Sequence, residues 1–189
     1  MPDGINPPTP PGVGAVVNLP NAITLARICA VPAAVWLVLH GNHMLAFWLF
    51  AAAGVSDAVD GILARRRGPT RVGAVLDAVA DKALLVTMYI TLAAVRLLPD
   101  WLAILVVFRD VVIVGGVMLL HLMGHPVTLR PLFVSKLNTT LQIILVALAL
   151  LLAGFGLAAP LTILVLCWAV AASTLASGAG YVVRVARGR

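Results

Sequence analysis

Long apolar stretches separated by short polar turns make up most of the chain. They lie near residues 21–40, 44–66, 72–95, 101–123, 135–155 and 160–183. The residues between them are typical of turns: Gly41-Asn42, Gly68-Pro69, Pro99-Asp100, Gly124-His125-Pro126 and Pro160. Each stretch has about the 20 residues that a helix needs to cross the hydrocarbon core of a bilayer. The pattern predicts an all-α fold, an integral membrane bundle of six transmembrane helices.

The composition agrees with a lipid-facing surface. Of the 189 residues, 62% are hydrophobic and only 11% are charged, whereas a soluble domain is about 45–50% apolar. The net charge of +6 would suit nucleic acid, but the basic residues stand at the ends of the apolar stretches. That placement fits membrane topology and contact with anionic lipid or phosphate better. We therefore expect membrane lipid as a partner and no nucleic acid.

The basic residues also predict an orientation. They cluster in alternate turns and in the tail: Arg65, Arg66, Arg67, Arg71, Arg130, Lys136, Arg184, Arg187 and Arg189. By the positive-inside rule these turns and both termini are cytoplasmic, and a bacterial inner membrane is the expected location. We expect a flexible, proline-rich cytoplasmic arm over 1–20, a single transmembrane domain over 21–185 and a basic cytoplasmic tail over 186–189.

Four of the seven acidic residues fall within 25 residues. Asp57 and Asp60 stand near the end of the second stretch, and Asp77 and Asp81 near the start of the third. At about 100° per residue, the i, i+3 and i, i+4 spacings each place a pair on one helix face. Both pairs flank the same predicted cytoplasmic turn. Two neighbouring helices can thus bring four carboxylates into one space.

Carboxylates gathered in this way need compensation, because an unpaired aspartate at the centre of a membrane helix costs roughly 2.5–3.5 kcal/mol. Divalent cations with oxygen ligands supply it, and a site without histidine or cysteine favours magnesium, manganese or calcium. Ion pairing with the nearby arginines or with Lys82 is the alternative. It leaves unexplained the small residues Gly61, Ala64 and Gly73, which allow a ligand to approach closely. Arg65, one turn beyond Gly61, is placed to meet a phosphate. Together these residues describe a site for a nucleotide diphosphate.

The pattern D57-x2-D60-G61-x2-A64-R65-x7-G73-x3-D77-x3-D81 resembles the signature of the CDP-alcohol phosphotransferases. The resemblance implies a membrane enzyme of about six helices that exchanges the CMP of a CDP-lipid for an alcohol, often as a homodimer. It implies that Asp57, Asp60 and Asp77 hold Mg²⁺ or Mn²⁺ at the CDP pyrophosphate. Asp81 would be the general base and would also contact metal, while the CDP pocket would comprise Asp57, Gly61, Ala64, Arg65 and Gly73.

The resemblance also bears on the acceptor alcohol. The fifth stretch opens S135-K136-L137-N138-T139-T140-L141-Q142, similar to the S-K-x-N-T-x-x-Q of eukaryotic-type cardiolipin synthases. Relatives that use glycerol 3-phosphate more often have G-K-x-K-T, and a second lysine suits a dianionic phosphate. We therefore expect CDP-diacylglycerol as donor and phosphatidylglycerol as acceptor, which gives cardiolipin. Glycerol 3-phosphate, the acceptor of a phosphatidylglycerophosphate synthase, is the alternative.

Four residues are candidates for acceptor binding: Arg27, Arg109, Lys136 and Asn138. Arg27 alternatively snorkels to the interface, and Lys136 alternatively anchors a positive-inside turn. Arg109 and Asp110 lie within an apolar helix. Because adjacent residues do not share a helix face, we expect them to serve different partners. A buried structural ion pair of Arg109, for instance with an aspartate of the site, is the alternative.

A divalent-cation transporter would also gather intramembrane aspartates, and it is a remote alternative. Transporter sites tend to lie near the bilayer midplane, at broken helices and internal repeats. Here the aspartates flank one basic turn and no repeat is found. The sequence therefore favours an enzyme.

Overall fold

The computed structural model describes residues 19–67, 71–122 and 133–186, and within them the side chains of 26–56, 82–113, 115–116 and 134–180. These ranges are helical without any strand. The helices are α1 (Leu19–Leu39), α2 (His43–Arg67), α3 (Arg71–Ala94), α4 (Asp100–Leu122), α5 (Phe133–Gly154) and α6 (Pro160–Ala186). The predicted boundaries are confirmed to within three residues. Most of the proposed arm and the last three residues lie outside the described ranges.

Three of the helices end in the same backbone motif. Gly41, Arg96 and Gly156 have positive φ angles of 76°, 63° and 64°, and each follows the last turn of α1, α3 or α5. After α1, the Gly41 N–H donates to the Val38 carbonyl at 3.1 Å and the Asn42 N–H to the Leu37 carbonyl at 2.9 Å. This 5→2 and 6→1 pairing satisfies carbonyls that the helix itself leaves open. It reverses the chain within a few residues.

Helices α1 and α2, α3 and α4, and α5 and α6 are each joined by a few described residues and pack against each other, so the bundle has two ends. We call the end where α2 finishes and α3 begins the aspartate end, and the other the opposite end. Helix α1 packs against both α2 and α3, α5 packs against α6, α2 and α3, and α4 packs against α3 and α6. The helices that carry the aspartates are thus both covered by α1.

The core of the bundle is apolar, and its outer surface is apolar as well. Tyr89, Leu102 and Leu145 are fully buried, whereas Ile104, Phe108 and Leu161 are more than 60% exposed. Outward-facing side chains of this size suit contact with lipid rather than water. The four tryptophans, Trp36, Trp48, Trp101 and Trp168, are exposed, and all lie in the half of the bundle nearer the opposite end. Tryptophan is enriched at membrane interfaces.

Two described helical segments are long and apolar enough to cross a membrane, Val134–Gly154 and Pro160–Gly180. Shorter apolar segments cover Ala26–Leu39, His43–Ser56 and Lys82–Ala94. Together with the exposed apolar surface, these helices indicate a membrane protein. They support the expected bundle in part, since two spans rather than six meet the criterion of length and apolar character within the described residues.

Candidate active site

The aspartates occupy matching depths on two continuous helices. Asp57 and Asp60 lie ten and seven residues before the end of α2, and Asp77 and Asp81 lie six and ten residues after the start of α3. At 1.5 Å per residue, Asp57 and Asp81 are each about 15 Å from the end of their helix nearest residues 68–70, and Asp60 and Asp77 are about 10.5 Å and about 9 Å from it. The unbroken helices confirm that each pair keeps the spacing of one helix face.

The side chains of this motif lie outside those the structure describes, as do those of Gly61, Ala64, Arg65 and Gly73. Their assignment as metal ligands, base and CDP pocket therefore stays a prediction. Among the described side chains, no group of three or more His, Cys, Asp or Glu is close enough to hold a metal ion.

Asn138 lies at a buried polar contact between α5 and α6. It is fully buried, and its Oδ1 accepts hydrogen bonds from Ser173 Oγ at 2.7 Å and Thr174 Oγ1 at 2.9 Å. Its Nδ2 is buried without a hydrogen-bond partner among the described residues. Buried polar groups are rarely left unpaired, so a partner for this donor is expected outside the described side chains.

Gln142 stands one turn further along α5. It is 1% exposed, and its Nε2 likewise has no partner within the described part of the chain. Its backbone carbonyl accepts a long hydrogen bond of 3.4 Å from the Tyr89 hydroxyl in α3. Two amide donors one turn apart therefore face the interior of the bundle from α5.

Arg109 and Asp110 correct the expectation that they serve different partners and confirm the alternative, a buried ion pair, with Asp110 itself as the partner. Arg109 Nη1 donates to Asp110 Oδ1 at 2.7 Å, so the two adjacent residues pair directly. Arg109 Nη2 also donates to Ser135 Oγ at 2.9 Å and to Ser177 Oγ at 2.6 Å. The long arginine side chain can fold back along the helix surface, which the rule for helix faces does not take into account. Acceptor binding by Arg109 remains untested, and its described hydrogen bonds all go to side chains of this protein.

The other two acceptor candidates differ in exposure. Arg27 in α1 is 3% exposed, which argues against snorkelling to the interface. Helix α1 packs against both aspartate-bearing helices. Lys136, in the first turn of α5, is exposed, so it is open to a charged ligand and equally suited to be an interfacial anchor.

Sequence reasoning missed the partners of these residues. Lys82 Nζ lies 2.7 Å from Asp110 Oδ1, and Ser177 is 2% exposed against Arg109. The sequence did contain a pattern that predicts a polar face on α6. Ser177 stands one turn after Ser173 and Thr174 in an otherwise apolar helix. Polar residues that recur on one face of such a helix indicate contact with another polar helix face.

Comparison with known proteins identifies the family. Residues 17–175 match the family model of the CDP-alcohol phosphatidyltransferases. A chloroplast CDP-diacylglycerol–glycerol-3-phosphate 3-phosphatidyltransferase of Oryza sativa is 36% identical over 87% of this chain and 56% of its own length. The CMP-forming cardiolipin synthase of Rattus norvegicus is 31% identical over 87% of this chain and 60% of its own length. The chain thus spans little more than half of these two relatives.

A shorter bacterial relative is matched over most of its length. A Mycobacterium tuberculosis protein named "Probable phosphatidylglycerophosphate synthase" is 31% identical over 93% of this chain and 85% of its own. The family match includes α1 to α5 and most of α6, and with them all four aspartates. This chain belongs to the CDP-alcohol phosphatidyltransferase family.

Proposed function

We propose that the protein transfers the phosphatidyl group of CDP-diacylglycerol to a glycerol-type alcohol and releases CMP. The observation that carries the proposal is the matching depth of the two aspartate pairs on α2 and α3, inside the segment that matches the family. Acceptor phosphatidylglycerol, which gives cardiolipin, is the reaction we favour.

Enzymes of this family use divalent metal ions, and the residues present fit one. The donor set consists of four carboxylates on two helices joined by one turn, without histidine or cysteine between Asp57 and Asp81. Such a set suits Mg²⁺ or Mn²⁺. Asp57, Asp60 and Asp77 would hold the ion, with Asp81 in contact. When bound, the ion offsets the charge of the pyrophosphate and of the departing CMP.

The chain's own residues would bind the donor and move one proton. Gly61, Ala64 and Gly73 leave room for the CDP group beside Asp57, and Arg65 donates to a phosphate oxygen. Asp81 takes the proton of the acceptor hydroxyl while the hydroxyl oxygen forms a bond to the phosphatidyl phosphorus. The bond from that phosphorus to the bridging oxygen breaks, and CMP leaves with the electron pair.

The acceptor side of the proposal rests on α5. The Nδ2 of Asn138 and Nε2 of Gln142 have no hydrogen-bond partner among the described side chains. These buried neutral donors suit a phosphodiester and hydroxyl groups better than a dianionic phosphate. Lys136 would supply one positive charge at the exposed start of α5. A cardiolipin synthase among the relatives agrees with phosphatidylglycerol as acceptor.

Glycerol 3-phosphate is the second candidate acceptor. The rice relative is named for that reaction, and the Mycobacterium relative is named as a phosphatidylglycerophosphate synthase. Arg27 and Arg109, both buried, would then be additional positive groups for a phosphate monoester. The names of the relatives are divided between the two acceptors, and the neutral donors on α5 decide our preference.

The proposal includes a location and an assembly. The protein would span a bacterial inner membrane with six helices, and the aspartate end and both termini would lie on the cytoplasmic side. This orientation agrees with the basic residues near the aspartate end and with the tryptophans nearer the opposite end. A homodimer is part of the proposal as the resemblance implies it. Cross-linking of detergent-purified protein at increasing dilution tests the dimer.

The test of function is release of CMP by the purified protein from CDP-diacylglycerol in detergent with Mg²⁺ or Mn²⁺. Phosphatidylglycerol, glycerol 3-phosphate, inositol phosphate and serine are compared side by side as acceptors. We expect CMP release to require the acceptor, and phosphatidylglycerol to give the highest kcat/KM. If none of the acceptors supports CMP release, the proposed reaction is wrong; if only glycerol 3-phosphate does, the preferred acceptor is wrong.

A further inference from the structure

A group of five polar side chains, of which Arg109, Asp110 and Ser177 are buried, joins four helices. We call it the α4 cluster: Lys82 of α3, Arg109 and Asp110 of α4, Ser135 of α5 and Ser177 of α6. Asp110 Oδ1 accepts from Lys82 Nζ and from Arg109 Nη1, both at 2.7 Å. Arg109 Nη2 donates to Ser135 at 2.9 Å and to Ser177 at 2.6 Å. Helix α4 thus holds its three neighbours in this group through two consecutive residues.

Burial of the charged groups of the α4 cluster costs free energy, and apolar side chains could fill the same space. The side chains of Arg109 and Asp110 are 7% and 8% exposed, and α4 is otherwise apolar over 101–108 and 111–116. Well-packed apolar residues often replace a buried ion pair without loss of stability. Ion pairs and hydrogen bonds, unlike apolar contacts, do specify one relative position of the helices that they join. The cluster is therefore suited to setting a geometry.

The neighbours of the cluster in sequence indicate which geometry. Lys82 directly follows Asp81, the proposed base. Ser135 directly precedes Lys136 and stands one turn before Asn138, the proposed acceptor residues. Helix α4 contributes no residue to the aspartate motif, yet it links the segment that carries the base to the segment that would hold the acceptor.

We propose that Asp110 and Arg109 are positioning residues that set the distance between the base-bearing segment of α3 and the acceptor-binding start of α5. The inference rests on the proposed function for its effect on turnover. Asp110 holds α3 through Lys82, and Arg109 holds α5 through Ser135 and α6 through Ser177. The described hydrogen bonds of both residues go to side chains of the protein. A shift of about 1 Å between reacting groups can lower turnover about a hundredfold, so loss of this link reduces kcat.

Turnover is measured in Asp110→Asn, in Lys82→Met and in the double variant. Each single variant removes one charge of the same contact, so we expect kcat to fall at least about tenfold, with KM for CDP-diacylglycerol within about threefold of wild type. Because the described contact of Lys82 is with Asp110, the double variant should be no slower than Asp110→Asn by more than about twofold. Lys82→Arg, which can still reach Asp110, should restore most of kcat. Multiplicative losses in the double variant, or a folded Asp110→Asn with unchanged kcat, would refute the positioning role.

A distance measurement tests the inference without any turnover. Spin labels at the exposed positions Ala83 of α3 and Thr140 of α5 report the separation, in a background where Cys29 and Cys167 are replaced. Labelled protein is diluted with unlabelled protein, so that only distances within one chain contribute. We expect one narrow distribution in wild type and a broader or shifted one in Asp110→Asn. An unchanged distribution in the folded variant would overturn the proposal even if turnover falls.

The matched control is Asp100→Asn at the other end of α4. Asp100 accepts from Arg96 at 3.2 Å, but both side chains are exposed, 58% and 83%, and exposed pairs contribute little. It should leave kcat and the distance distribution unchanged; if it changes them as Asp110→Asn does, the effect is not specific to the cluster. If Asp110→Asn does not fold, Lys82→Met carries both tests, since the Lys82 side chain is 41% exposed. A wild type that forms no product with any acceptor would refute the proposed reaction, while the distances would still decide the link.

Discussion

Gly154, the last residue of α5, lies against the backbone of Met44 at the start of α2. A β carbon added to Gly154 would stand 3.0 Å from the Met44 nitrogen and 3.1 Å from its Cα. Main-chain atoms within a helix cannot move aside as a flexible side chain can. The contact therefore favours glycine at the point where α5 and α2 meet at the opposite end of the bundle.

The first prediction concerns this contact. Gly154→Val should destabilise the protein by about 1–3 kcal/mol, the usual cost of overpacking a close contact, and thermal unfolding in detergent measures it. Gly115→Ala in α4 is the control, because a β carbon there meets nothing within 4 Å and alanine favours the helix. Equal melting temperatures for Gly154→Val and wild type would contradict the tight contact.

The second prediction concerns the shape of Arg109. Arg109→Lys keeps the charge, but one ammonium group cannot reproduce the fork that reaches Asp110, Ser135 and Ser177 together. The variant should lose about 1–3 kcal/mol of stability, because buried hydroxyl and carboxylate groups lose a donor. Thermal unfolding is compared with that of Arg96→Lys, whose 83% exposed side chain should tolerate the change. If both variants have the melting temperature of wild type, the forked hydrogen bonding of Arg109 does not contribute to stability.

The third prediction tests the proposed base. Asp81→Asn should lower kcat by about 10²–10⁴, the usual contribution of a general base, and should still bind CMP. Binding is followed by calorimetry and turnover by CMP release. Asp100→Asn serves as the control for loss of one carboxylate. Turnover within a few-fold of wild type would remove Asp81 from the role of base.

The fourth prediction separates the acceptor from the donor. Asn138→Asp keeps the shape, and the hydroxyls of Ser173 and Thr174 can still donate to the carboxylate. The variant loses the Nδ2 donor and gains a negative charge, which repels an anionic phosphate. KM for phosphatidylglycerol should rise at least about tenfold, more than 1.4 kcal/mol of binding, while KM for CDP-diacylglycerol stays near that of wild type.

Thr140→Val provides the comparison for that variant. Thr140 is exposed on the same helix, and its described hydrogen bond is to the Lys136 carbonyl, at 3.0 Å, so neither KM should change. An Asn138→Asp enzyme with both KM values unaltered would place the acceptor elsewhere.

The helices were predictable because their signal is local. Twenty or so apolar residues between turn residues predict a span wherever the segment lies in the fold. The aspartate motif is local in the same sense: Asp57 with Asp60, and Asp77 with Asp81, share a face by spacing alone, and the unbroken α2 and α3 confirm it. Even the common turn between the two pairs follows from chain order.

Contacts between helices distant in the chain were not predictable in this way. Nearly every helix is apolar over much of its surface, so the hydrophobic pattern does not predict which helix faces pack together. A buried polar side chain needs a hydrogen-bond partner, but the sequence does not identify that partner. Lys82 was open to pairing with the neighbouring aspartates, and it is Asp110, 28 residues away, that accepts from it. The rule that adjacent residues face apart failed for Arg109 and Asp110, because a long side chain reaches back across its own helix.

The sequence by itself thus determined the membrane-like helices, their ends and the spacing of the four aspartates, all of which depend on residues within a few turns of each other. Only the tertiary structure decided that α1 covers both aspartate-bearing helices, that Asn138 bonds to α6, and that α4 links the base-bearing helix to α5. These features depend on which helices pack together, and packing brings together side chains whose partners no local pattern specifies.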